Sequence, residues 1–93
     1  MVVGVCTVEL LIPSMGSLKG KRQVVKSLIS RLQNKFKVSV AEVDENDKWQ
    51  KAIIGIAAVS NEANHATRVL QSVVNYIDRE TASQLLDYSI EIL

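Results

Sequence analysis

Cysteine, histidine, tryptophan and proline each occur once in these 93 residues, and aromatic residues make up only 4% of them. Each scarcity removes a class of function. A lone Cys6 forms no internal disulfide, which fits a reducing cytoplasm. Its place in an apolar run suggests a small core residue. One cysteine and one histidine exclude most metal sites and most nucleophile–base–orienter sets. No apolar run reaches the ~18–20 residues that span a bilayer. The apolar run 1–12 has no basic region before it and contains Glu9, so it does not read as a signal peptide. Linkers, low-complexity tracts and 20–50-residue repeats are missing too. The expectation is one cytoplasmic domain over residues 1–93, with no membrane, metal, cofactor or evident small-molecule substrate. A chain of this length buries about 60–65% of its unfolded surface, enough for one core but not for two substrate-closing domains.

What is present is ordinary in total and uneven along the chain. Hydrophobic residues reach 47%, charged residues 23%, and the net charge is +1. That near-neutrality hides a split. Residues 10–41 carry Lys19, Lys21, Arg22, Lys26, Arg31, Lys35 and Lys37 and no acid, a local charge of +7. Residues 42–93 carry −5, and Glu9 supplies the remaining negative charge. Such asymmetry points to electrostatic partnering, although the solvated face of a core helix also uses Lys and Arg.

The periodicity gives six elements. Val2–Ile12 is β-branched and apolar on both alternating faces, as in a central strand. Pro13 and Gly16 end it in a loop, Pro13–Ser17. Leu18, Val25, Leu28, Ile29, Leu32 and Phe36 then recur at helical spacing, with Ser17 as candidate N-cap. Gly20 is an awkward helix residue, so the helix is expected to begin properly at Lys21. Phe36–Val43 alternates as a second strand, and Trp49–Ser60 is a third beyond an acidic hairpin turn. Gly55 within the third strand suggests a bulge, a bend or a close backbone approach. Ser60 and Asn61 make a cap signal for a second helix reaching about Arg79, and Leu85–Leu93 is the last strand. The order βαββαβ is the split βαβ arrangement of an α+β, ferredoxin-like domain. Right-handed crossovers place both helices on one face of a four-stranded antiparallel sheet, ordered 4-1-3-2.

The other sheet face is then free. Alternation assigns it Val3, Val5, Thr7, Glu9, Trp49, Ile53 and Leu85 among others, and puts Leu86, Tyr88, Ile90 and Ile92 under the helices. Val3, Val5, Trp49, Ile53 and Leu85 are therefore interface candidates, with pairing into a homodimer as one solution. RNA-recognition modules of this fold stack bases on central-strand aromatics. The strands VGVCTV and AIIGIAA offer none, so nucleic acid would meet the basic segment through its phosphates. Lys19, Lys21, Arg22, Lys26, Arg31 and Lys35 are the phosphate or RNA-contact candidates. The sharpest local signal is Leu18-Lys19-Gly20-Lys21-Arg22 at a helix start, where backbone N–H groups favour anions. A phosphate-loop fingerprint is not present. His65 reads as a boundary or surface residue, and Asp44, Glu45 and Asp47 do not meet the calcium-loop pattern. Acylphosphatase-type catalysis on this fold needs an arginine in the loop after the first strand, and Pro13–Ser17 has none.

Ser39-Val40-Ala41-Glu42-Val43, then Asp47-Lys48-Trp49-Gln50-Lys51-Ala52 and Gly55-Ile56-Ala57-Ala58-Val59-Ser60, resemble the YlxP-like family of small bacterial proteins. Leu18-Lys19-Gly20-Lys21-Arg22, with Ser27-Leu28 and Arg31-Leu32, extends the resemblance over essentially the whole chain. It implies a ferredoxin-like domain of unknown function, with no catalytic residues to carry over. Genes of this family often lie among those for translation initiation and ribosome maturation, which implies an RNA- or ribosome-associated role. The expectation is thus a non-catalytic, homodimeric module that binds RNA or a ribosomal particle. The alternative is a homo-oligomeric protein-interaction or regulatory module without nucleic acid.

Overall fold

Val2–Leu11 forms β1, Leu18–Phe36 α1, Ser39–Asp44 β2, Lys51–Ser60 β3, Ala63–Asp78 α2 and Gln84–Ile92 β4. The computed structural model describes every residue except Ser14, Met15, Asn46, Asp47, Trp49 and Thr81. The sheet order is β2-β3-β1-β4, with antiparallel pairing throughout. This is the expected ferredoxin-like α+β topology, with the two most apolar strands at the centre.

The core follows from strand alternation meeting two helix stripes. From β1 and β3, Cys6, Val8, Leu10, Ala52, Ile54 and Ile56 point under the helices and are buried. From α1, Val25, Leu28 and Leu32 meet them, and from α2, Leu70, Val73, Val74 and Ile77. Gly4 lets α2 lie close to β1: a Cβ there would stand 2.7 Å from Leu70 Cδ1. Burial pushes the Cys6 thiol up from its ordinary 9.0 to about 11, so it stays protonated as an apolar core group.

Several boundaries differ from expectation, each for a local reason. α1 begins at Leu18, because the Ser17 hydroxyl accepts the Gly20 N–H at 3.1 Å and caps the first turn. α1 keeps Phe36, so β2 starts only at Ser39. Lys37 turns the chain in the left-handed region (φ 55°), and its N–H donates to the Gln33 carbonyl at 3.1 Å. The N-cap of α2 is Glu62, while the Ser60 hydroxyl accepts the Glu62 N–H at 3.1 Å in the turn before it.

Two bulges matter for the open face. Between the pairs Glu9–Asp87 and Leu10–Leu85, Leu86 is an extra residue on β4. The alternation therefore slips, and Leu85 moves to the helix side, partly buried against the core. This corrects its assignment to the open face. Leu86, expected under the helices, is the bulged residue and stands 46% exposed, while Tyr88 keeps its expected helix-side register opposite Val8 and is 43% exposed on the edge strand. The second bulge puts Val43 as an extra residue on β2, opposite an unbroken β3. Val43 lies over Gly55, where a Cβ would stand 2.8 Å from Val43 Cγ1. Gly55 is thus a close-approach position rather than a bulge.

Candidate functional site

Helix α1 carries most of the basic segment, and its geometry divides those cations into separate groups. Lys19, Arg22 and Lys26 follow one another at spacings of three and four, so they share one flank. All three are exposed, and none has a hydrogen bond or ion pair among the described residues. Lys21, one position earlier than Arg22, points the other way. It falls four residues before Val25 and seven before Leu28, on the stripe that packs against the sheet.

Lys21 is fully buried. Its ammonium is paired with the Glu42 carboxylate and donates to the Glu45 carbonyl at 2.9 Å. A buried charge persists only when paired and hydrogen-bonded, and Lys21 meets both conditions. It ties the first turn of α1 to the end of β2 and the hairpin. It has no face toward solvent, so its assignment as a phosphate contact is corrected to a structural one.

Arg31 also ties elements together, although its side chain stays 40% exposed. Its guanidinium is paired with Glu80 and donates to the Tyr76 hydroxyl at 3.3 Å, joining α1 to α2. Burial pulls its pKa down, but Tyr76 and Glu80 together outweigh that and hold it above the ordinary value. Lys35 is exposed beside the same helix junction. Its ammonium lies 5.8 Å from the Phe36 ring centre and 5.9 Å from that of Tyr76. The two rings meet edge to face, 5.7 Å apart.

On the open sheet face, the interface candidates Val3, Val5 and Ile53 are half-buried, while Val43 and Val59 are exposed. Trp49, the remaining interface candidate, lies outside the described residues. Lys51 donates to Glu9 at 2.8 Å across that face, and this contact, aided by the charge attraction, raises the Lys51 pKa. Among the described residues the open face bears no aromatic ring at a stacking position on β1 or β3, and no three His, Cys, Asp or Glu side chains are grouped to hold a metal. No described helix is long and apolar enough to cross a membrane.

The site is therefore an exposed cationic row beside a tied network, on an antiparallel α+β domain of ferredoxin-like topology. Residues 3–90 match the family described as a protein of unknown function, DUF503, and the chain belongs to it. It is similar to the uncharacterized protein YlxP of Bacillus subtilis (strain 168), with 43% identity over 76 residues. The match covers 82% of this chain and 83% of that protein.

Proposed function

We propose that this protein is a non-catalytic bacterial binding module that acts in the cytoplasm on RNA within ribosomal particles. The row Lys19, Arg22 and Lys26 carries the reading. Three exposed cations on one helix flank, unpaired among the described residues, are arranged to meet successive phosphates. Arg31, whose charge Glu80 already offsets, would add less to the attraction for phosphates.

Co-sedimentation with ribosomal particles across a salt series tests this. The Lys19→Glu/Arg22→Glu/Lys26→Glu variant should lose association, and the steepness of the salt dependence should drop by about 2 in log–log slope. Equal association of both proteins at every salt concentration would remove the row from the account.

A second reading rests on a different surface. Val43 and Val59 are exposed on the open sheet face beside half-buried Val3, Val5 and Ile53. Two copies pairing there would cover them. Light scattering after size exclusion, with Val5→Glu as the disrupting variant, decides it: a strict monomer at high concentration rules the pairing out.

A further inference from the structure

The C-terminal end of α1, one side of α2 and the adjoining β2–β3 end of the sheet border a groove that the cationic row does not use. His65, Val69, Ser72 and Tyr76 recur along α2 at spacings of three and four, so one stripe of α2 borders this groove. Two hollows open along it, each about 200 Å³. Phe36 lines both. The first lies between His65, Ala66 and Val69 of α2 and the sheet residues Val38, Ala58 and Ser60, with Lys37 also in its lining. The second is bordered by Lys35, Arg79 and Tyr76, with Ser72 and Asn75 as hydrogen-bonding groups. No carboxylate lines either hollow. Glu80, farther along the same helix junction, is held by Arg31.

Three properties coincide here. The walls carry rings whose neighbourhood already accommodates a cation, since Lys35 sits beside both Phe36 and Tyr76. The rims supply Lys35, Lys37 and Arg79, with His65 as a further donor. The hollows are smaller than the roughly 300–1,000 Å³ of a drug-sized ligand site, so each suits one flat group rather than a whole metabolite. Cations flanking aromatic rings along a track are what single-stranded nucleic acid requires, because bases stack while phosphates meet the charges. A duplex keeps its bases stacked on one another and has nothing to place between the helices.

We propose that the α1–α2 groove receives an unpaired RNA segment, with one base against the Phe36–Tyr76 pair and phosphates on Lys35, Lys37 and Arg79. The proposal rests on the RNA-binding reading above and adds to it the kind of RNA and a second contact surface. Lys19, Arg22 and Lys26 would grip backbone in general. The groove would select strands whose bases are free.

Fluorescence anisotropy with a ten-nucleotide oligouridylate and an RNA duplex of equal length separates the two claims. The groove variant is Lys35→Gln/Lys37→Gly/Arg79→Gln, in which glycine suits the left-handed backbone at position 37. Tyr76→Leu removes a ring while retaining an apolar side chain. Both should weaken oligouridylate binding about fivefold or more and duplex binding by less than threefold. Photo-cross-linking of a 4-thiouridine oligomer to the unaltered protein, which no folding defect can affect, should label Phe36 or Tyr76. Labelling confined to the Lys19–Lys26 flank, or oligouridylate binding unchanged in both variants, overturns the groove and leaves the RNA reading standing. Wild-type protein that binds neither oligomer overturns both.

Discussion

Two lysine–glutamate pairs join neighbouring elements of this molecule in very different surroundings. Beneath the start of α1, Lys21 meets Glu42 with side chains 0% and 12% exposed. On the open sheet face, Lys51 meets Glu9 with side chains 39% and 32% exposed. The chemistry of the groups is the same, and the consequences are not. Charges taken out of water depend on each other, whereas solvated charges are partly screened with or without a partner. The same contrast runs along α1 itself. Lys21 is committed to the fold, while Arg22, one residue later, faces solvent with no partner among the described residues.

The largest effect should come from breaking the buried pair on one side only. Glu42→Gln takes the Glu42 carboxylate away from the buried Lys21 ammonium and should cost up to about 3–5 kcal/mol in denaturant unfolding. Adding Lys21→Met should recover most of that loss, because it removes the buried charge and roughly keeps the volume. A double variant as unstable as Glu42→Gln alone would mean that packing, not charge, governs the site. Next in size is Gly4→Ala, which forces a methyl against Leu70 and should cost about 1–3 kcal/mol by the same measurement.

The exposed pair should respond weakly. Glu9→Gln should change stability by less than about 1 kcal/mol, and the difference should shrink further in high salt. Its pH signature has a definite sign. Glu9 raises the Lys51 pKa above its ordinary 10.5, so the pair's contribution is present below that value and is lost as pH rises through the folded one. Cys6 gives a decline in the same direction that is zero at neutral pH. The unfolded thiol ionises from about pH 9 while the folded one keeps its proton to about 11, so stability falls across that interval. A Cys6→Ala variant should show a shallower fall there, and native Cys6 should resist thiol reagents until the protein unfolds.

The topology was legible in the sequence because periods of two and of 3.6 alternate cleanly along the chain. What escaped were features that depend on one residue. The extra Leu86 on β4 moves Leu85 to the helix side while Asp87 and the residues after it keep the expected faces, and nothing in Leu85-Leu86-Asp87 marks which leucine is the bulge. The end of α1 was obscured because Phe36 suits both the helix stripe and the alternating strand after it. Lys21 could have been read correctly. Its spacing to Val25, Leu28 and Leu32 puts it on the core stripe, and Glu42 occupies the helix-facing register of β2 after Val38 and Val40. The charge run masked this by presenting Lys21 as one more surface cation. The groove between the helices was hidden for another reason: Phe36 and Tyr76 are 40 positions apart in sequence, and only the antiparallel helix pairing joins them.

On the proposed reading the cations of α1 divide between those tied into the fold, Lys21 above all, and an exposed row that meets RNA. Binding of ribosomal RNA by two variants, measured side by side with their stability, separates the two roles. Arg22→Gln/Lys26→Gln should keep the wild-type unfolding midpoint and lose affinity. Lys21→Met, even where it shifts the midpoint, should bind as the wild type does while folded. Unchanged affinity in the first protein, or lost affinity in the folded second one, would contradict the division.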